Sequence, residues 1–256
     1  MKKISLILLG SFITLLSHAQ QIQQQQSKEP PSQTSKYLPI EDKIVYKGKL
    51  LNFDANNKAV AIDVNDIPHD NTLIRLFPNV SSSVSIFSVD NNGSLTVAGN
   101  GGTVVKGTYH VIYEFSMFQP VNTTSGNTSI TYCVGISVRL IANITTLKSS
   151  VDLSKIISLV SASGGTNKFS GQIQITMNGI NSQTLTNLNP IPPNGATFTA
   201  DNVATSLQSL AAIKSHFSDK DVNITPEVLG FYQTSNTAQD QFTYSKNLQI
   251  IKEAVK

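Results

Sequence analysis

The sequence predicts an α+β fold, in which a β-rich N-terminal lobe precedes an antiparallel or mixed sheet with two helices packed on it. Eight consecutive even positions from Ile130 to Ile144 are apolar, which is the period of a long β-strand with one buried face. Segment 105–117 repeats this alternation. The elements after residue 103 follow the order β, β, α, β, α, β, so helices on one face of the sheet fit better than a strict βαβ alternation.

Short strands interrupted by Asn, Asp and Gly fill residues 37–102, the predicted β-rich lobe. Asn and Gly tolerate the positive φ of tight turns, so these interruptions are typical of β-hairpins. A further strand is predicted at 73–77. The two predicted hairpins pair segment 43–53 with 59–64 and segment 84–89 with 95–98.

Residues 103–235 form the predicted α+β core, and residues 236–256 form a predicted C-terminal helical tail. In the core, loop 119–129 joins the two long alternating segments into a hairpin. Apolar residues at helical spacing predict two helices, the second with Thr199 or Asp201 as its N-cap. The remaining predicted core elements are a helix at 151–163, a strand at 169–178, a helix at 201–217 and a strand at 222–232.

The N-terminus has the parts of a secretory signal peptide at residues 1–19. Lys2 and Lys3 precede the apolar run 4–16, which is shorter than the ~20 residues that span a bilayer as a helix. Cleavage between Ala19 and Gln20 would deliver a secreted or periplasmic protein with no further transmembrane segment. A retained membrane anchor is the alternative reading.

Composition favours an exported, folded domain without nucleic-acid binding. Asn, Gln, Ser and Thr account for 91 of the 256 residues, against 35 charged ones. Removing the leader lowers the net charge from +3 to +1, which gives no basic surface for nucleic acid. Residues 20–36 are rich in Gln and Pro and are predicted to be a disordered linker.

The candidate site is a polar pair on the long predicted hairpin. Arg139 lies among small residues on the polar face of one strand, and Glu114 on the partner strand is its candidate carboxylate. His110 shares a strand face with Glu114, so acid/base chemistry is an alternative reading of the same residues. Cys133, the single cysteine, is predicted to be buried as a small apolar residue.

The densest acidic cluster is a weaker candidate, for calcium. Its oxygen ligands are Asp63, Asn65, Asp66 and Asp70, and the cluster lacks the Gly and the terminal Glu of an EF-hand loop. A solvated turn uses the same residue types. The sequence contains no zinc spacing, P-loop or nucleophile elbow, so we predict no cofactor and name no catalytic residue.

Three segments carry a resemblance that spans about residues 129–235. They are 134–142, 170–180 and 224–232, and together they resemble a family of exported or hypothetical bacterial proteins with no established activity. The resemblance is one of pattern. It implies a bacterial α+β domain and transfers no site residues.

These observations predict an exported bacterial protein, most simply a non-catalytic binding or assembly protein of the cell envelope or exterior, whose partner is another envelope protein or a glycan. A membrane-active, pore-forming-like protein is the first alternative, because long alternating strands followed by short helices are found in such toxins. A hydrolase with an unrecognised site is the second.

Overall fold

A computed structural model of the chain describes residues 35–53, 58–67, 73–90, 95–97, 103–104, 107–146, 151–152, 169–219, 221–234 and 240–256. Antiparallel sheet dominates these residues, and a few helices accompany it. The chain is therefore an α+β protein in which β structure prevails, as the alternation in the sequence predicts.

The strands are β1 (Ser35–Pro39), β2 (Lys49–Phe53), β3 (Ala59–Asp63), β4 (Asn79–Val89), β5 (Leu95–Val97), β6 (Thr103–Val104), β7 (Gly107–Ser125), β8 (Thr128–Thr146), β9 (Val151–Asp152), β10 (Phe169–Asn178), β11 (Ile180–Asn181), β12 (Ala196–Thr197), β13 (Asn223–Ile224) and β14 (Glu227–Thr234). The helices are α1 (Leu73–Leu76), α2 (Gln183–Asn187), α3 (Ala200–Ser215) and α4 (Asp240–Ala254), and a 3₁₀ turn covers Val64–Asp66.

The β7–β8 hairpin is the centre of the main sheet, whose strand order is β1-β14-β8-β7-β4-β5. One edge of β8 pairs with β7 along its whole length. The other edge is shared end to end, first by β14 and then by β10, which also pairs with β12. β8 thus contacts three strands, and residues from distant parts of the chain meet around it.

The predicted loop 119–129 is wrong, because the two strands of the hairpin continue through most of it. The structure leaves only the turn at Gly126 and Asn127 between β7 and β8, with Gly126 at a φ of 57°. Exposed strand positions accept Asn, Ser and Thr when these residues pair across the strands. The hydroxyl of Thr131 donates to Oδ1 of Asn122 at 2.7 Å, which is one such pair.

The predicted boundary at residue 102 does not divide the main sheet. β4 lies before that boundary and pairs with β7 from Asn79–Phe118 to Val89–Thr108. β1 adds to the edge of β14, although the sequence assigns its first two residues to the linker. Gly230 permits this approach, since a Cβ there would lie 2.5 Å from the carbonyl oxygen of Leu38.

Within residues 37–102, the predicted β-rich lobe, some of the predicted elements are present and one is not. The two predicted hairpins are present as β2–β3 and β4–β5. The strand predicted at 73–77 is wrong, because Leu73–Leu76 form one helical turn. Its apolar residues are compatible with either a strand or a helix. Four residues are too few for the spacing of apolar residues to distinguish the two.

The even-numbered face of β8 is the apolar core face, and α3 packs over it. Phe115 lies directly opposite Val138 in the sheet, and its ring lies 5.8 Å from that of Phe217. Nζ of Lys214, in α3, lies 4.0 Å above the ring of Phe115. Thr199 caps the helix by accepting from the backbone N–H of Asn202, so this predicted helix and one of its two predicted caps are confirmed.

The odd-numbered face of β8 is buried too along the middle of the strand, from Cys133 to Ile141, so the prediction of a single buried face is wrong. Cys133, Ser137, Arg139 and Ile141 are each at most 4% exposed. The segment around β1 lies over this face, as the contacts of Arg139 below show. Local sequence could not indicate this cover, because it comes from residues about a hundred positions earlier.

At the C-terminus, α4 corresponds to the predicted helical tail, and it is packed against the rest of the protein. The hydroxyl of Tyr244 donates to the carbonyl oxygen of Pro39 at 3.1 Å, and its ring lies 5.4 Å from that of Phe231. Of the helix predicted at 151–163, Val151 and Asp152 form β9 and the remainder lies outside the described residues. Among the helices that the structure describes, none is long and apolar enough to cross a membrane.

Candidate functional site

Glu114 and Arg139 are brought together by the register of the central hairpin. Glu114 in β7 lies directly opposite Arg139 in β8, so the two side chains project from the same face of the sheet. Glu114 is 3% exposed and Arg139 is 2% exposed. The pair is therefore a buried ion pair, on the face that the sequence suggested to be solvated.

Arg139 uses its guanidinium to connect three separate segments. Nε and Nη2 both approach Oε1 of Glu114, at 2.9 and 2.8 Å. Nη1 donates to the carbonyl oxygen of Ile40 at 2.6 Å, and Nη2 donates to that of Leu229 at 2.5 Å. The planar fork of arginine suits this combination of one carboxylate and two carbonyls.

Tyr37, in β1, completes the network by donating its hydroxyl to Oε2 of Glu114 at 2.8 Å. Both carboxylate oxygens of Glu114 thus have a donor, which a buried charge requires. Burial of the hydroxyl raises the pKa of Tyr37, and the Glu114 charge raises it further. Burial alone would lower the pKa of Arg139, but the charge of Glu114, together with Tyr37 and the hydrogen bonds to both, outweighs burial, so the pKa is raised.

The sequence did not indicate Tyr37, Ile40 or Leu229 as members of this network. Two of them contribute only a backbone carbonyl, which carries no residue-type signal. Tyr37 lies at the start of the β-rich segment, 77 positions from Glu114. The only indication that Arg139 has further partners is chemical. A buried guanidinium has five donors and needs more acceptors than one carboxylate supplies.

His110 is buried on the same face but has a different set of contacts. Its Nδ1 lies 2.6 Å from Oδ1 of Asn143, and its Nε2 lies 2.9 Å from Oε1 of Glu41, a charge contact whose angle falls outside hydrogen-bond geometry. His110 is four residues from Glu114 along one strand, which is a distance of about 13 Å. A general base must be within about 3 Å of the proton it takes, so His110 and Glu114 cannot act as one acid/base pair in this arrangement.

Cys133 is completely buried and packs with Phe118 and Leu229 beside the polar network. Burial raises the pKa of its thiol far above the ordinary value. Because the thiolate is the reactive form, Cys133 is a poor nucleophile. Its predicted role as a buried apolar residue is confirmed.

Gln119 is a second polar residue that holds distant segments together, although the sequence placed it in a loop. Its Oε1 accepts from the backbone N–H of Leu51 at 3.0 Å. Its Nε2 donates to the carbonyl oxygens of Leu51 and Leu76. This one amide therefore ties β2 and α1 to the central hairpin.

The calcium candidate is only partly within the described residues. The carboxylate of Asp63 accepts from the backbone N–H and the side-chain amide of Asn65, at 2.9 and 2.7 Å. It thereby caps the 3₁₀ turn that contains Asp66. Asp70 lies outside the described residues, and among those that are described no group of three His, Cys, Asp or Glu side chains could hold a metal ion. The calcium site stays a prediction.

The predicted cleavage site at Ala19 and Gln20 also lies outside the described residues. Comparison of the chain with protein-family models, curated proteins and solved structures yields no match. The pattern-level resemblance to exported bacterial proteins stays a prediction.

Proposed function

We propose that this chain is an exported bacterial protein that binds or assembles with a partner at the cell envelope or outside the cell, without catalysing a reaction. The proposal rests on one observation: the buried polar side chains that could take part in catalysis make structural contacts with the protein itself. Glu114 and Arg139 bond to each other, to Tyr37 and to two backbone carbonyls. These contacts hold separate strands together and are made to the protein itself.

Export is argued from the N-terminal pattern of charge, apolar run and small residues around Ala19. Intact-mass analysis of protein recovered from the medium or periplasm tests it, and the expected chain begins at Gln20. Replacing Ala19 with a bulky residue should block processing, because the signal peptidase accepts small side chains there. A cytosolic product that retains residues 1–19 would contradict export.

The tip of the central hairpin is the surface that best suits a partner. The ladder between β4 and β7 ends at the Asn79–Phe118 pair, and β7 continues to Ser125. Among the described residues, no strand pairs with this last part of β7 on the side away from β8. An extended segment of another protein can add to such an edge through backbone hydrogen bonds. Three of the exposed residues there, Asn122, Thr124 and Ser125, are neutral and polar, as a glycan would also require, and the fourth is Pro120.

A retention assay with matched variants tests this surface. Mature protein should be retained on cell envelopes or on a glycan array, and Thr124→Lys at the tip should weaken retention, because a charge on an edge strand opposes strand addition. Thr225→Lys places the same charge at an exposed position away from the tip and should leave retention unchanged. Equal retention by both variants would exclude the tip as the contact surface.

The alternatives find less support in the described contacts. A hydrolase that uses His110, Glu114 and Arg139 would need these groups around one reacting atom, whereas His110 and Glu114 are about 13 Å apart along their strand. Hydrolase activity that is detected in a substrate panel and lost in His110→Asn would support the hydrolase alternative. A membrane-active role depends on a conversion of segment 151–163, most of which lies outside the described residues. Release of dye from liposomes would support that role.

A further inference from the structure

Three consecutive charged residues, Glu41, Asp42 and Lys43, form a bend that leaves the edge of the main sheet. On one side of the bend, the backbone N–H of Ile40 donates to the carbonyl oxygen of Leu229 at 2.8 Å. On the other side, the N–H of Val228 donates to the carbonyl oxygen of Ile44 at 2.9 Å. Adjacent residues of β14 thus hold the two ends, and the three residues between them project outward. We name residues 41–43 the charged bend.

Each residue of the charged bend contacts an oppositely charged or titratable partner on a different element. Glu41 lies 2.9 Å from His110 in β7, Asp42 lies 2.6 Å from Lys252 in α4, and Lys43 lies 3.7 Å from Glu227 in β14. The side chains of Lys252 and Lys43 are 44% and 75% exposed, whereas that of His110 is 9% exposed. Only the His110 contact combines burial with a group that titrates near neutral pH.

Both ring nitrogens of His110 face oxygen atoms. Nδ1 lies 2.6 Å from Oδ1 of Asn143, and Nε2 lies 2.9 Å from a carboxylate oxygen of Glu41. A neutral imidazole has one N–H and one lone pair, so it can satisfy only one of these two acceptors. The doubly protonated imidazolium can donate to Oδ1 of Asn143 and at the same time places its positive charge 2.9 Å from the Glu41 carboxylate.

Few other charges act on this imidazole. The β4 residue that packs against it is Phe87, whose ring centre lies 6.1 Å from that of His110. Strands β4 and β10 contain no charged residue, and the single charged residue of β8, Arg139, is paired with Glu114. On α4, Lys252 is paired with Asp42. Glu41 is therefore the charge that decides the protonation of His110.

We propose that His110 and Glu41 form a pH-dependent latch, which holds the charged bend against the sheet in acid and releases it when His110 loses its proton. The latch goes beyond the proposed binding function and does not depend on it. Its consequence is a change in the surface beside β1 and β14 between acidic and alkaline surroundings.

The direction of the pH dependence follows from the contacts of His110. Burial lowers the pKa of His110, but the contacts with Glu41 and Asn143 and the charge of Glu41 outweigh burial, so the pKa is raised above 6.5. A histidine with a raised pKa in the folded state contributes stability that is complete below its unfolded pKa and is lost as the pH rises through its folded pKa. The latch should therefore be closed below about pH 6.5 and open at higher pH.

An NMR titration of the imidazole C–H signals, with the intact chain, tests the protonation step. His110 should titrate above pH 6.5, and Glu41→Gln should lower its midpoint by about one pH unit, as removal of a contacting charge does. Because Glu41 is partly exposed, the variant is expected to fold. The control is Asp219→Asn, which removes the carboxylate 2.7 Å from the exposed His216 and should leave the His110 midpoint unchanged.

Hydrogen exchange tests the release step. After correction for intrinsic exchange, the amides of Ile40 and Val228, whose hydrogen bonds hold the two ends of the charged bend, should be more protected at pH 5.5 than above the His110 midpoint, and Glu41→Gln should remove the difference. A wild-type midpoint at or below 6.5, or one that Glu41→Gln leaves unmoved, would overturn the latch. A raised midpoint with protection that does not change with pH would also overturn it.

Discussion

Both faces of β8 are buried along the middle of the strand, from Cys133 to Ala142, but opposite kinds of chemistry bury them. On the even face, Val138 and its apolar neighbours pack beneath α3 and the rings of Phe115 and Phe217. On the odd face, Arg139 and Glu114 lie beneath the segment that contains Tyr37 and Ile40. One face excludes water with hydrocarbon, and the other with a fully bonded ion pair.

This difference shows that the even face is stabilised by apolar burial, whereas the odd face depends on an intact ion pair. Apolar burial contributes in proportion to the area removed from water and tolerates conservative changes. A buried ion pair gives little net stability over an apolar replacement, but loss of one partner leaves a buried charge without compensation. The odd face should therefore be the more sensitive to single substitutions and the more sensitive to pH.

The largest effect is expected for Arg139→Met. Methionine fills much of the space but leaves the Glu114 carboxylate buried without its cation, which costs about 4 kcal/mol of unfolding free energy. Urea denaturation measures this loss. The loss should shrink in acid, because a protonated carboxyl is less costly to bury than a carboxylate. A variant as stable as the wild type at pH 7 would show that the pair is not buried as described.

Leu140→Ala gives the matched change on the even face. Leu140 is 1% exposed, and its truncation should cost about 3 kcal/mol through lost apolar contacts and a cavity. No charge is exposed or buried by this change, so the loss should be the same at pH 5 and pH 7. A strong pH dependence here would remove the contrast between the faces.

Tyr37→Phe removes one hydrogen bond to a charged group and keeps the ring. We expect a loss of about 2 kcal/mol, the usual magnitude for such a bond. The edge-to-face contact with Tyr232, with ring centres 5.8 Å apart, should remain. Thermal and urea unfolding measure the effect, and a loss below about 0.5 kcal/mol would indicate that Arg139 alone satisfies Glu114.

Lys252→Ala should have the smallest effect, although its 2.6 Å contact with Asp42 is shorter than the contacts between Arg139 and Glu114. Both side chains are about half exposed, and surface pairs contribute at most about 1 kcal/mol. A loss above that limit in urea denaturation would mean that α4 depends on this pair.

The sequence predicted what depends on local pattern and missed what depends on long-range packing. The alternation around Val138 predicted β8, and a small polar setting around Arg139 suggested Glu114 as its partner. No local feature of Tyr37 or Leu229 indicated that they would contact the Glu114–Arg139 pair, because strand pairings across about a hundred residues bring them there. The burial of the odd face was missed for the same reason.

The double variant Arg139→Met/Glu114→Leu tests most directly the claim that the pair holds the fold together. The account predicts that the double variant recovers most of the stability lost in Arg139→Met, because it replaces a broken ion pair with apolar packing. Its unfolding free energy, measured in urea beside both single variants, should then lie above that of Arg139→Met and below that of the wild type, because the Tyr37 hydroxyl and the Ile40 carbonyl oxygen lose their partners. A double variant less stable than either single variant, with losses that simply add, would contradict the claim.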